Sequence, residues 1–217
     1  IDSRGRVVGD ATLTSTGGGE IVHAANVDGL LTTDTSGATR LSGTLGSLAV
    51  VHSAALNFDN STTINGTAAI TASGAISQSP TAPLIVSGPL TINAPGQDVT
   101  LDHAANDFSS VQITAGKTVL TDQNTVTLDL NTGATTARAL AGALTASGHA
   151  SSLTASAAGA SGNLTSSVAT TGDSTLSADA SASNTGEVQG KLQITAAGPI
   201  DSRGRVVGDA TLTSTGG

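Results

Sequence analysis

The 217-residue chain carries 8 basic and 16 acidic side chains, a formal charge of −8, and contains no Cys, Met, Trp or Tyr and only two Phe. This balance excludes the basic stripe and aromatic stacking platforms of a nucleic-acid reader and disfavours an anionic membrane surface. No run of about 18 apolar residues is present, which excludes a transmembrane helix.

A core almost without aromatic bulk has to be filled by Val, Ile, Leu and Ala, which suits a narrow, layered interior. The absence of Cys fits a secreted bacterial protein that does without disulfides.

In chain order, the first signal is repetition. Ile1 to Gly18 returns unchanged as Ile200 to Gly217, at an offset of 199 residues. Residues 1–199 therefore read as one tandem period, residues 200–217 as the start of the next, and 1–217 as a single continuous segment.

Short alternating segments follow: Ala11-Thr12-Leu13-Thr14, Ala69-Ile70-Thr71, Leu90-Thr91-Ile92, Val111-Gln112-Ile113 and Leu192-Gln193-Ile194-Thr195. Such alternation marks half-buried strands. Several lead through a glycine turn into a second short strand, as Leu90 to Ile92 does through Gly96 to Val99-Thr100-Leu101. Ile70, Ile92 and Ile113 recur at steps of 22 and 21, and Ile194 and Leu212 at a step of 18.

A period near 20 with strand-type alternation predicts an all-β fold, a parallel β-solenoid of about ten coils of roughly 20 residues per 199-residue period. In the Ala/Ser-rich stretch 132–190, Leu144, Leu153, Leu164 and Leu176 recur at steps of 9, 11 and 12, which reads as half-coils. Helix and disorder are the competing readings there. The many Ser, Thr and Gly residues and the lack of a 3.6-residue apolar stripe count against helix.

Residues 67–145 carry a more specific pattern. Thr71-Ala-Ser-Gly-Ala-Ile-Ser-Gln-Ser79 is followed by Gly96-Gln-Asp-Val-Thr-Leu-Asp-His-Ala-Ala-Asn-Asp-Phe108, and then by Thr118-Val-Leu-Thr-Asp-Gln-Asn-Thr-Val-Thr-Leu128. This stretch resembles the repeats of large bacterial surface proteins of the filamentous haemagglutinin-like type. The resemblance implies a right-handed parallel β-helix and an exported fibrous protein, commonly delivered by two-partner secretion or an autotransporter route. It carries no catalytic residues with it.

The candidate sites are few. His23-Ala-Ala-Asn26 and His103-Ala-Ala-Asn106 are near copies, with a looser version from His52 to Asn57. They read as a repeated turn capped by Asn rather than as a metal row, because no His pair has zinc-like spacing. Asp102 and Asp122 are 20 apart, and Asp107 and Asp129 are 22 apart. One coil of separation would bring each pair to about 4.8 Å, where a cation such as calcium would relieve the repulsion. The plainer reading is that small register shifts point the paired carboxylates apart into water, so no cofactor is expected, and calcium is the one to consider.

Asn60, Asn65 and Asn163 open N-glycosylation patterns, which arise freely in a Ser/Thr-rich chain. Thr12-Leu-Thr14 and Thr125-Val-Thr127 are too scattered for an ice-binding array. The clustered acids and aromatic sugar platforms of a glycan-cleaving enzyme are missing.

The expectation is a non-enzymatic structural protein forming a long extracellular fibre or stalk, at a bacterial surface or in its matrix. Its partner is itself, through lateral bundling or continuation of the solenoid, with no nucleic acid and no membrane insertion. The alternative is an adhesin whose face or distal domains bind glycan or host protein.

Overall fold

The computed structural model describes residues 1–216; Gly217, the last residue of the repeated segment, lies outside them. It is all-β and contains no helix among the described residues. Nineteen strands join one sheet. Every pairing in it is parallel. The chain winds as a β-solenoid of about twelve stacked layers. No single layer can bury its own inner face, so each is stabilised by the layers above and below.

The residues whose spacing suggested a coil are stacked on one another. Ile70 pairs with Ile92, Ile92 with Ile113, and Ile113 with Leu130. Ile194 carries Leu212. The step between layers is not constant: it is 17 where Ser110 meets Thr127, and 23 where Ile76 meets Val99.

Each layer in the first half has three sides. One is represented by Ile76–Gln78, Val99–Leu101 and Thr118–Asp122. The second and third are the two halves of Leu84–Ala94 and of Asp107–Ala115. In the second half the middle side narrows, and a layer reduces to two strands such as Leu164–Thr170 and Ser174–Ala178.

Alternation decides what points inward. Val, Ile and Leu fill the interior, and both Phe58 and Phe108 are fully buried. In the Ala/Ser-rich half the inward positions pass to Ala137, Ala139, Ala146, Ala155 and Ala157. That makes a thinner core by the same pattern, and the stretch forms strands, not helix.

The longer layers place their extra residues in turns, and a buried polar plug closes the largest one. Asn106 Oδ1 accepts from Leu84 N at 2.8 Å and from Gln78 Nε2 at 2.6 Å. Asn106 Nδ2 donates to Leu101 O and Gln78 Oε1, both at 3.1 Å. All polar atoms of the Asn106 amide are thereby satisfied, as burial requires.

One corner is a ladder of Gly9, Gly29, Gly46, Gly66 and Gly88. Gly29 N donates to Gly9 O at 3.0 Å, Gly66 N to Gly46 O at 2.6 Å and Gly88 N to Gly66 O at 3.0 Å. A Cβ at Gly46, Gly66 or Gly88 would overlap the carbonyl of the layer beneath, so only glycine allows the chain to turn this tightly.

Candidate functional site

The outer surface offers two features above the background of Ser and Thr. The first is a groove along the corner that follows the third side. Thr14 pairs with Asp34, and Asp34 with His52; further along, Thr71 pairs with Asn93. These outward residues line a cavity of about 560 Å³. His52 Nδ1 lies 3.0 Å from Asp34 Oδ1 at its rim, and both side chains are exposed. Asn93 continues through Thr114 and Asn131 to His149. His149, Thr170, Thr171 and Glu187 line a second cavity of about 320 Å³ on the same corner.

The second feature is a set of hydroxyl columns. Thr136, Thr154 and Thr175 pair in succession on one side, and Thr127, Thr145, Thr165 and Ser183 pair on the opposite one. All point away from the core. Of the Thr-x-Thr segments only Thr127 joins a column; the columns are single hydroxyls that recur from layer to layer. Their recurrence once per turn within 127–183 is the signal that locates them.

The acidic pairs are separated by register. Val99–Leu101 stacks under Thr118–Leu120, so the local step is 19. Asp102 and Asp122, 20 apart, therefore miss each other by one position, and one position reverses the side-chain direction. Asp102 is exposed, whereas Asp122 is fully buried.

Asp122 Oδ2 accepts from Phe108 N at 2.6 Å and Oδ1 from Asn124 N at 2.8 Å. Burial pushes its pKa up to about 6, against the pull of those two N–H groups, with a further small push from Asp107. Asp129 pairs with Gln112, not with Asp107, and accepts from Gln112 Nε2 at 3.2 Å. Asp107 instead accepts from Gln123 Nε2 at 2.9 Å and Asn124 Nδ2 at 3.1 Å. Among the described residues, no three His, Asp or Glu side chains gather in a metal-holding cluster.

The look-alike His tetrapeptides also differ. At His103 the segment is a turn: Asn106 N donates to His103 O at 3.1 Å, and Ala105 N donates to His103 Nδ1 at 3.0 Å. At His23 the same letters lie in the strand Ile21–Thr35. The His23 side chain points into the core, where neither ring nitrogen has a hydrogen-bond partner. Burial lowers its pKa. Asn57, near His52, reaches Asp59 within a strand.

Charge is placed across layers. Arg40 Nε meets Glu20 Oε1 at 2.6 Å on the layer below, and Arg40 Nη1 meets Asp59 Oδ2 at 3.1 Å on the layer above. Between Arg138 and Asp173 no Asp, Glu, Lys or Arg occurs, so these layers form a charge-free belt.

A family model described as repeats of unknown function (DUF5649) matches residues 45–115. The chain is a repeat β-helix protein. Neither a curated protein nor a solved structure matches it. The matched stretch includes the Ile70, Ile92 and Ile113 column and the Gln78–Asn106 plug, so the family's pattern covers residues that build layers.

Proposed function

We propose that the protein is a structural, non-enzymatic rod. In this reading its stacked periods form an extracellular fibre or stalk at a bacterial surface or in its matrix, of the kind the filamentous haemagglutinin-like resemblance implies. The observation that carries the reading is the unbroken parallel ladder from Asp2 to Ser214, built by a chain that repeats its own first residues at a 199-residue offset.

The mechanism is mechanical. Hydrogen bonds run along the axis, aliphatic columns resist bending, and the net charge of −8 keeps parallel rods apart in solution. Electron microscopy of material purified from the producing cells tests the reading. Rods with layered axial spacing support it, and isolated compact particles contradict it.

The corner groove favours one second reading, an adhesin that grips an elongated ligand along the axis. Its polar rim of Thr, Asp, His and Asn over five successive layers suits a glycan chain or an extended peptide. Glycan-array binding that is lost on His52→Ala would support it.

A further inference from the structure

The repeated segment occupies two different sides of the solenoid. Ser3 pairs with His23, and that column climbs through Leu41, Phe58 and Gln78 to Leu101, Leu120, Ala137, Ala155, Leu176, Ile194 and Leu212. Ser202, the copy of Ser3, stands on another column. That one starts at Ala11 and climbs through Leu31, Leu48, Ala68, Leu90, Val111, Leu128, Ala146, Ser166 and Asn184. Ten turns carry Ala11 to Ser202, and eleven carry Ser3 to Leu212. The 199-residue offset is therefore ten turns plus the part of a turn from Ser3 to Ala11, somewhat less than half of one.

The segment keeps its alternation in both places. Ser3 and Val7 turn inward at the first occurrence, and Ser202 and Val206 at the second. Its glycines let it follow two paths. Gly5 and Gly9 have φ of +98° and +94°. Gly204 and Gly208 stay outside that region, and a Cβ on either would overlap Gly186 or Gly190 beneath. A residue without a Cβ serves both corners.

Both edges of the segment have partners. Its lower edge, seen at the second occurrence, pairs with Ala182–Asn184 and Leu192–Ala196. Its upper edge, seen at the first, pairs with residues 22–27 and 31–35. Charge agrees with backbone. Arg205 Nη1 meets Glu187 Oε1 on the layer below at 2.6 Å, and its copy Arg6 meets Asp28 on the layer above at 2.6 Å. One arginine holding both would reproduce the Glu20–Arg40–Asp59 ladder.

We propose that this segment is the joint on which a further copy of the same period stacks, and that each period is rotated about the axis by somewhat less than half a turn relative to the last. The proposal rests on the fibre reading above. Its consequence is that equivalent side chains spiral around the fibre. The groove and the hydroxyl columns are displayed in several directions instead of forming one continuous face.

The test is a two-period chain in which a second copy of residues 19–217 follows Gly217. The sequence contains no cysteine, so introduced pairs report cleanly. Outward residues on adjacent parallel strands lie within disulfide reach. Thr211→Cys is combined with Thr32→Cys of the second period, which the rotation makes neighbours. The comparison is Thr211→Cys with Val22→Cys of the second period, which an unrotated stack makes neighbours. Thr12→Cys with Thr32→Cys inside the first period sets the reference rate.

The expected result is oxidation of the first pair at the reference rate, no oxidation of the comparison pair, and X-ray scattering of a rod about twice as long as the single chain. Locking of the comparison pair in a doubled rod would overturn the rotation and leave the fibre intact. A reference pair that locks while neither test pair does, with scattering of two tethered bodies, would overturn the stacking and the fibre reading together.

Discussion

Asp122 gives the sharpest quantitative prediction. Its carboxyl is buried, with a pKa of about 6 against an ordinary value of 3.8. Because the folded value is raised, the folded state holds the proton more tightly. The stabilising contribution is complete below pH 3.8, declines between 3.8 and 6, and is gone above 6. At about 1.4 kcal/mol per pH unit the whole decline has a ceiling of about 3 kcal/mol. Asn124 and Thr125 beside it are exposed, and solvent screening lowers the figure to about 2 kcal/mol.

Asp122→Asn removes the titration. It also turns an amide N–H₂ toward one of the two backbone donors, Phe108 N or Asn124 N, a loss of about 1–2 kcal/mol. The variant should be less stable than the natural chain at pH 4, and equal or more stable at pH 8. Urea unfolding of both chains from pH 3.5 to 8 measures the difference directly and cancels the other carboxylates. A difference that does not change with pH would refute the buried, N–H-bound placement of Asp122.

Other changes probe the layers. Ile92→Asp places a charge between Ile70 and Ile113 and should cost about 4 kcal/mol or more; an unchanged melting curve would contradict the inward column. Gly66→Ala puts a methyl group against the Gly46 carbonyl. A loss of about 2 kcal/mol is expected in thermal melts, and a neutral effect would mean that the corner is looser than described. Arg40→Ala should lower the melting temperature slightly at low salt and not at about 1 M salt, because the Glu20 and Asp59 pairs are exposed. Chelators should leave the melting temperature unchanged, since Asp122 has both oxygens occupied and Asp102 faces away from it.

The sequence made the layers legible where inward residues are large. Ile70, Ile92 and Ile113 stand out at nearly equal steps because alternation fixes their direction and stacking requires their recurrence. What it hid depends on step length. Asp102 and Asp122 match the nominal coil, yet the local step is one position shorter and turns one outward while it buries the other. His23 and His103 share three following letters, but the first lies inside the long strand Ile21–Thr35, whereas the second follows the end of the short strand Val99–Leu101 and turns. The corner groove was equally invisible, since Thr14, Asp34, His52, Thr71 and Asn93 align only after steps of different lengths are added. The rotation between copies of the repeated segment is a sum over ten such steps, and no local pattern contains it.

Cryo-electron microscopy of native filaments would resolve the stacked layers themselves. Layers at about 4.8 Å along the axis, with the 199-residue period returning after ten turns and a fraction, are the expected result. Filaments without that layered spacing, or discrete particles of one chain each, would contradict the account.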